Sequence, residues 1–413
     1  RIMSQRLHKR ISNILLKATV LSSICFGLLP FYYNKQQQRF ISSKPLIVYN
    51  ICINVIFVIM MGILLPIFSD FDDVFKSGDP LAELLNRLTV YISFGGLLTT
   101  WWINWTSRQR LQQLFNEFAK IEIDYFNRYK HFTNECATFD YCVIWKVFGI
   151  FLQNLSFFYS SAVAGNRNSV FIMFMCLMAL LMNIIFLVSA HFFLAVLFTY
   201  RFIWILNRRL ESMTSIEVSP HKGRVLRIEI DNIVYIYIRL IQLCEHYTRI
   251  HQYQILLVIG AMTICNIQVL FYMCLLWSGK VSKLNAFNVV AILQTVVVNI
   301  LHFWLIIAIC ELALVTSLRT QELLRGFNEK PNWSIHFERS VSDLFVARCL
   351  FEVKNIFKVF YLQLECFAII CSSIKLRFHL CGLFDINHSS GLKVLLTMIL
   401  YLIYLVQYYH ENL

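Results

Sequence analysis

The residues of this chain with chemistry to offer are amides, phenols and thioethers set in apolar runs. The densest group lies near the C-terminus, in LYLIYLVQYY, Leu400 to Tyr409. On a helix, positions i, i+4 and i+7 share a face, so Leu400, Tyr404 and Gln407 line up, with Glu411 following at i+11. Polar groups on such a face can replace part of the hydration of an ion or solute. The same letters also fit a lipid-facing helix with tyrosines at the water boundary, as Tyr401, Tyr408 and Tyr409 would be. A second group is spread over earlier apolar runs: Tyr91 and Ser93, Asn154 and Tyr159, Met173 and Met175, and Asn266, Gln268 and Tyr272. Aromatic surface with a few amides suits a pocket for apolar or heterocyclic compounds. It equally suits packing and hydrogen bonding between helices.

Covalent and metal chemistry have no comparable carriers. There is no G-x-x-x-x-G-K-[ST] loop, no G-x-S-x-G elbow and no H-E-x-x-H. The 13 cysteines form no C-x-x-C pair and no Cys/His cluster with zinc spacing. No enzyme activity, cofactor or metal is expected. No cysteine falls in 69–83, 165–168 or 277–286, so no extracellular disulfide is expected either.

The elements that must hold these residues are membrane helices. The 413 residues are 58% hydrophobic and only 15% charged, with a mean hydropathy of +0.60. A soluble domain is about a quarter charged. Gly and Pro are scarce, at 13 and 6, which favours helices over a barrel. Apolar runs long enough to span occur at 14–33, 46–68, 84–106, 143–164, 169–199, 253–276, 285–308 and 392–410. The net charge of +13 is read as Lys and Arg in cytoplasmic loops, not as a nucleic-acid partner. No cleavable leader is expected, because the first run contains Lys17 and lacks a small-residue cleavage site.

Charge asymmetry orients the spans. The connection 69–83 carries Asp70, Asp72, Asp73, Asp79 and Glu83 against Lys76, and reads as outside. The connections 200–252 and 309–391 hold eight and nine Lys/Arg, and read as inside. So do 107–142, with five, and 34–45, with Lys35, Arg39 and Lys44. Only the short connection 277–286, with Lys280 and Lys283, dissents. These assignments agree if the run 14–33 dips into the membrane or lies along it. Seven spans then remain, with the N-terminus inside and the C-terminus outside. The sequons at Asn104, Asn154, Asn332 and Asn387 would all be cytoplasmic or membrane-embedded, and hence unglycosylated.

Several helices should outgrow the membrane. The run from 169 continues past Tyr200 into RFIWILNRRLESM, helical periodicity precedes 253 from about 226, and the sixth span runs on into ELALVTSLRTQELLRGF. The segment 338–373 is amphipathic. These read as cytoplasmic extensions that pack on one another, with a neighbouring subunit as the simplest further partner. No span carries an internal Asp or Glu, and the ionisable groups nearest mid-span are His191 and His302. That weighs against an ion-coupled transporter, as does the lack of an inverted repeat. A G-protein-coupled receptor lacks support too: there is no Asp-Arg-Tyr after a third span and no Asn-Pro-x-x-Tyr in the last, which also leaves no cytoplasmic tail.

The last span resembles the signature of the insect gustatory receptors, a family related to the insect odorant receptors. That signature is Thr-Tyr, five hydrophobic residues, then Gln-Phe. Here Leu400-Tyr401 is followed by LIYLV and Gln407-Tyr408, so Leu400 and Tyr408 depart from it. Upstream, CGLFDINHSSGLKVLLT, Cys381 to Thr397, is similar to the Gly-x-Phe-x-Ile-Asn approach of the family. The resemblance covers the whole chain in architecture and its last 30 or so residues in motif.

The resemblance implies an all-α, seven-span tetrameric ligand-gated cation channel in the plasma membrane of gustatory neurons, homo- or heteromeric with sister subunits. It implies a bundle with its ligand pocket over 1–337, an anchor helix and approach over 338–391, and a pore-lining span over 392–413. Four copies would set Leu400 and Tyr404 as a constriction and Gln407 as an amide ring, flanked by Tyr401 and Tyr408. Tyr91, Asn154, Tyr159, Met175, Gln268 and Tyr272 are the candidate ligand contacts. The outer halves lack the carboxylates expected of a sugar site, so a bitter or aversive tastant is favoured over a sugar or a pheromone.

Overall fold

A computed structural model describes residues 2–70, 80–129, 136–163, 169–214, 220–278, 286–328 and 376–411. Helix α1 (Ile2–Cys25) carries Arg6, Lys9, Arg10 and Lys17 and packs on α5 (Ala137–Val163). The run 14–33 is therefore helical only to Cys25. Its helical part is about 18 Å long, short of the ~30 Å hydrocarbon. The chain reverses at Gly27, whose φ is +67° and where a Cβ would lie 2.2 Å from Ile53 Cγ2. Only glycine meets both conditions without strain. Leu28 and Phe31 then enter the core, and β1 (Tyr32–Asn34) pairs antiparallel with β2 (Arg39–Ile41). Asn116 of α4 (Arg108–Asp124) fastens this hairpin by accepting the Phe40 N–H at 2.6 Å.

The remaining elements are α2 (Lys44–Asp70), α3 (Pro80–Thr106), α6 (Ser169–Thr214), α7 (Pro220–Trp277), α8 (Ala286–Asn328), β3 (His379–Leu380), β4 (Phe384–Asp385) and α9 (His388–Glu411). Each of the seven expected spans falls on one of these helices or on α5. Among the described residues, five stretches are long and apolar enough to cross a membrane: Lys44–Ile63, Ala179–Met213, Ile228–Trp277, Leu293–Leu323 and His388–Tyr409. The other two expected spans fall on α3 and α5, each 27 residues long and thus about 40 Å. Ser107 separates α3 from α4: its N–H donates to Ile103 O at 2.8 Å and its carbonyl accepts from Leu111 N at 2.9 Å.

Helices α6, α7 and α8 have 46, 58 and 43 residues, or about 69, 87 and 64 Å. Their extensions pack on one another within the chain. Ile203, Leu206 and Leu210 of α6 meet Ile233, Tyr237 and Leu240 of α7 and Ala313 of α8 in one core. Polar locks cross the same seams: Tyr237 Oη lies 2.7 Å from Ser317 Oγ, and Asn207 Nδ2 donates to Thr316 O at 2.8 Å. The amphipathic segment 338–373 lies outside the described residues.

At the end of these extensions Arg209 makes a two-pronged contact with Glu229, at 2.5 and 2.7 Å, and Tyr129 Oη donates to the same carboxylate at 2.7 Å. Burial pushes the Glu229 carboxyl up, but the hydrogen bonds from Arg209 and Tyr129 and the guanidinium charge outweigh it and hold it below the usual range. A depressed carboxyl contributes stability that is present above its unfolded pKa and lost as pH falls through its folded one. Glu229→Gln is expected to remove part of the acid-side fall in the unfolding midpoint of the purified protein. Identical midpoint-against-pH curves for variant and wild type would show that the pair contributes nothing.

Candidate functional site

The last helix is set up by its approach. Strands β3 and β4 are joined by a tight turn in which Cys381 and Gly382 both have positive φ, +52° and +76°, and Leu383 N donates to Leu380 O at 2.8 Å. A turn with two left-handed residues matches the twist of a hairpin and favours glycine. Phe378, Leu380 and Ile386 anchor the hairpin in the core of α6–α8. Asn387 then caps α9: its Oδ1 accepts from Ser390 N at 2.8 Å. The Gly-x-Phe-x-Ile-Asn approach is thus a turn residue, a half-buried Phe384, a buried Ile386 and a helix cap. Gly391 lets α9 close on α8, since a Cβ there would lie 2.3 Å from Ile307 Cδ1.

One face of α9 is committed to its own chain. Val394 and Leu395 join the inner core, while Leu402, Leu405, Val406 and Tyr409 pack at the other end with Leu85, Phe271 and Leu275. The opposite face is turned away. Leu400 is 66% exposed and Tyr404 62%, and Gln407 and Glu411 are also exposed. Among the described residues the Gln407 amide has no hydrogen-bond partner. Tyr401 and Tyr408 form a neighbouring exposed stripe, and the Tyr404 and Tyr408 rings stack 6.5 Å apart. The expected alignment of Leu400, Tyr404, Gln407 and Glu411 is therefore present as a stripe that the chain itself leaves uncovered.

The second candidate group is dispersed. Asn154 and Asn183 exchange amide hydrogen bonds across α5–α6, at 2.8 and 2.6 Å. Gln268 accepts from Thr89 Oγ1 at 2.7 Å, joining α7 to α3, and Asn266 accepts from Asn299 Nδ2 at 3.1 Å, joining α7 to α8. Tyr272 is half-buried one turn beyond Gln268. Tyr91 is exposed and Ser93 half-buried. Tyr159, Met173 and Met175 fall on α5 and α6, with side chains outside the described residues. Two of the six expected contacts, Asn154 and Gln268, thus hold helices together, as does nearby Asn266. Their partners Thr89, Asn183 and Asn299 escaped the sequence reading; polar residues at matching depth in adjacent spans were the available signal.

Sequence reasoning also missed a buried amine. Lys146 of α5 has no exposed surface, donates to Ser189 Oγ at 2.8 Å, lies 3.2 Å from His302 Nδ1 and sits 5.4 Å over the Phe193 ring. It lies three residues into the run 143–164, and nothing in its local sequence marks it as buried. His302 stacks on Phe186 at 5.0 Å, and His191 Nε2 lies 2.5 Å from Ser23 Oγ. Both histidines pack in hydrogen-bonded positions. The ten described cysteines are all free.

Comparison with known proteins bears on what this architecture belongs to. A sequence model of the family described as 7tm chemosensory receptor matches residues 16–352 and 345–412. The chain is similar to the gustatory receptor for bitter taste 22e of Drosophila melanogaster, with 29% identity over 415 residues and 97% of each chain covered. It superposes on the structure of the insect olfactory receptor OR5 from Machilis hrabei with a TM-score of 0.63 at 13% identity, covering 98% of this chain and 99% of that one. The same receptor in complex with eugenol gives a TM-score of 0.58 at 14% identity. At these identities the structural likeness speaks to the fold.

Proposed function

The chain belongs to the seven-transmembrane chemosensory receptor family, a multi-pass family of receptors rather than enzymes, and from that membership we propose that it is a ligand-gated, non-selective cation channel of four chains, opened by a bitter or otherwise aversive tastant. The observation that carries this reading is the uncovered stripe of α9. An apolar stripe interrupted by an unpartnered amide and ending in Glu411 is poorly suited to lipid. It is well suited to a water-filled path closed at Leu400 and Tyr404. Four copies complete the path, with Gln407 as an amide ring and Glu411 attracting cations. Tyr401 and Tyr408 lie toward the neighbouring copy.

The N-terminus is cytoplasmic and the C-terminus extracellular in this reading. Residues 1–337 form the bundle and its pocket, 338–391 the anchor and approach, and 392–413 the pore helix. The tastant meets the outer halves of the spans near Tyr91, Asn154, Tyr159, Met175, Gln268 and Tyr272. Bitter is favoured because a relative at 29% identity is named for bitter taste and because these positions are amides, phenols and thioethers without a carboxylate. The plasma membrane of gustatory neurons is the proposed location, with sister receptors as possible subunits.

Whole-cell recording tests this with wild type and Gln407→Ala, over bitter compounds and sugars, under a G-protein block. The expected outcome is a bitter-evoked cation current that survives the block, with altered permeability ratios in the variant. A response abolished by the block would overturn the channel reading.

A further inference from the structure

A cavity of about 950 Å³ opens where α3 ends, α4 begins and α7 leaves the bundle. It lies at the opposite end of the chain's spans from the proposed tastant contacts. Its lining changes character along its length. Trp102 and Ile103 of α3 and Tyr253, Leu256 and Leu257 of α7 form one wall. Arg110 of α4 and Arg239, His246 and Arg249 of α7 form the other, with Glu117 the one carboxylate lining it. From Arg239 to Leu257 the groove follows α7 for about 27 Å.

The charges do not cancel. Arg239 is held by Glu117, and Arg249 pairs with Glu245 at 3.0 Å. Arg110 is exposed and has no ion pair among the described residues. Trp102 is 70% exposed and Tyr253 57% exposed, and both stand where the apolar wall gives way to the basic one. Amphipathic rings left uncovered in this way mark the boundary between hydrocarbon and water. The cavity therefore crosses that boundary, apolar on the bilayer side and cationic beyond it. In the proposed orientation the cationic end is cytoplasmic, where anionic lipids concentrate.

We propose that this cavity is a binding site for an anionic phospholipid of the cytoplasmic leaflet. Its headgroup phosphates are met by Arg110, Arg239 and Arg249, and its glycerol and first methylenes lie on Trp102, Leu256 and Leu257. Guanidinium groups suit phosphate because their donors match its oxygens in pairs. A lipid with extra headgroup phosphates gains most, because three guanidiniums line the site. Occupancy would tie α4 to α7 and so couple leaflet composition to the long helix that also carries Gln268 and Tyr272.

The site rests on the proposed orientation but not on ion conduction, so a binding measurement separates the two. The full-length receptor would be purified in neutral phosphatidylcholine nanodiscs, and its thermal midpoint followed as phosphatidylinositol bisphosphate, phosphatidylserine or soluble inositol trisphosphate is added. The variant Arg110→Gln/Arg249→Gln keeps the Arg239–Glu117 pair and is expected to retain the lipid-free midpoint. The bisphosphate lipid is expected to raise the wild-type midpoint, phosphatidylserine to raise it less, and the double variant to bind about 25-fold more weakly. Trp102→Gln, on the apolar wall, should weaken the lipid but not the soluble headgroup. An equal shift in wild type and both variants would overturn the site, as would no shift with any anionic lipid. A full shift from the soluble headgroup alone would overturn the lipid as its occupant.

Discussion

Leu400→Ser is expected to leave the receptor conducting in the absence of any tastant. Leu400 lies on the uncovered stripe of α9, four residues before Tyr404, and is 66% exposed in the single chain. In the proposed ring of four chains, that position would close the path by excluding water. Each leucine side chain favours a dry environment by about 1.5–3 kcal/mol. A tenfold shift in an equilibrium needs only about 1.4 kcal/mol. Four serines in place of four leucines should therefore raise ligand-free current at least about tenfold, even if most of the transfer energy is spent elsewhere. The measurement is resting whole-cell current normalised to surface protein, with Ile399→Ser, exposed but about a quarter-turn off that stripe, as the control. Equal resting currents in Leu400→Ser and wild type would remove Leu400 from the closed constriction.

Lys146→Ala should destabilise the bundle far more than Lys146→Met. Lys146 is fully buried between α5, α6 and α8. Truncation to alanine leaves a void where three methylenes and the amine packed, and long-chain-to-alanine changes in cores cost about 2–5 kcal/mol. It also strips a partner from the Ser189 hydroxyl, and an orphaned buried polar group costs about 1–3 kcal/mol. Methionine keeps most of the volume and forfeits only the polar contacts. It also removes a buried amine that forms no ion pair among the described residues. The alanine variant should lose about 3–5 kcal/mol and the methionine variant about 1–2 kcal/mol. Thermal unfolding of the two purified variants reads the difference. Equal losses would mean that the amine, not the packing of its stem, is what the site requires.

The contrast between α9 and Lys146 shows what a sequence makes legible. The stripe of Leu400, Tyr404 and Gln407 follows from helical spacing alone, and its exposure needs only that the other face be apolar enough to dock. The extensions of α6, α7 and α8 are likewise local, because charged residues keep helical periodicity past the membrane-length run. Pairing is not local. Nothing near Asn154 points to Asn183, and nothing near Gln268 points to Thr89; depth in two separate helices decides both. Lys146 is hidden for the same reason, since its neighbours Ser189 and His302 are 43 and 156 positions away. The β3–β4 hairpin was unreadable as strand because each strand is two residues long, too short for alternation to register. Its turn, Cys381-Gly382, shows in the sequence as a motif but not as a geometry.

Helix α7 is one uninterrupted rod of 58 residues, with no proline after Pro220. From Glu229, gripped by Arg209, to Tyr272 at the far end it measures about 65 Å. Over that length a tilt of about 4° moves the far end by roughly 4–5 Å. Such a rod can act as a lever, a short excursion at one end being magnified at the other. If the proposed tastant contact at Tyr272 sets that tilt, Glu229 moves by a distance comparable to a full helical turn, without any bend in between.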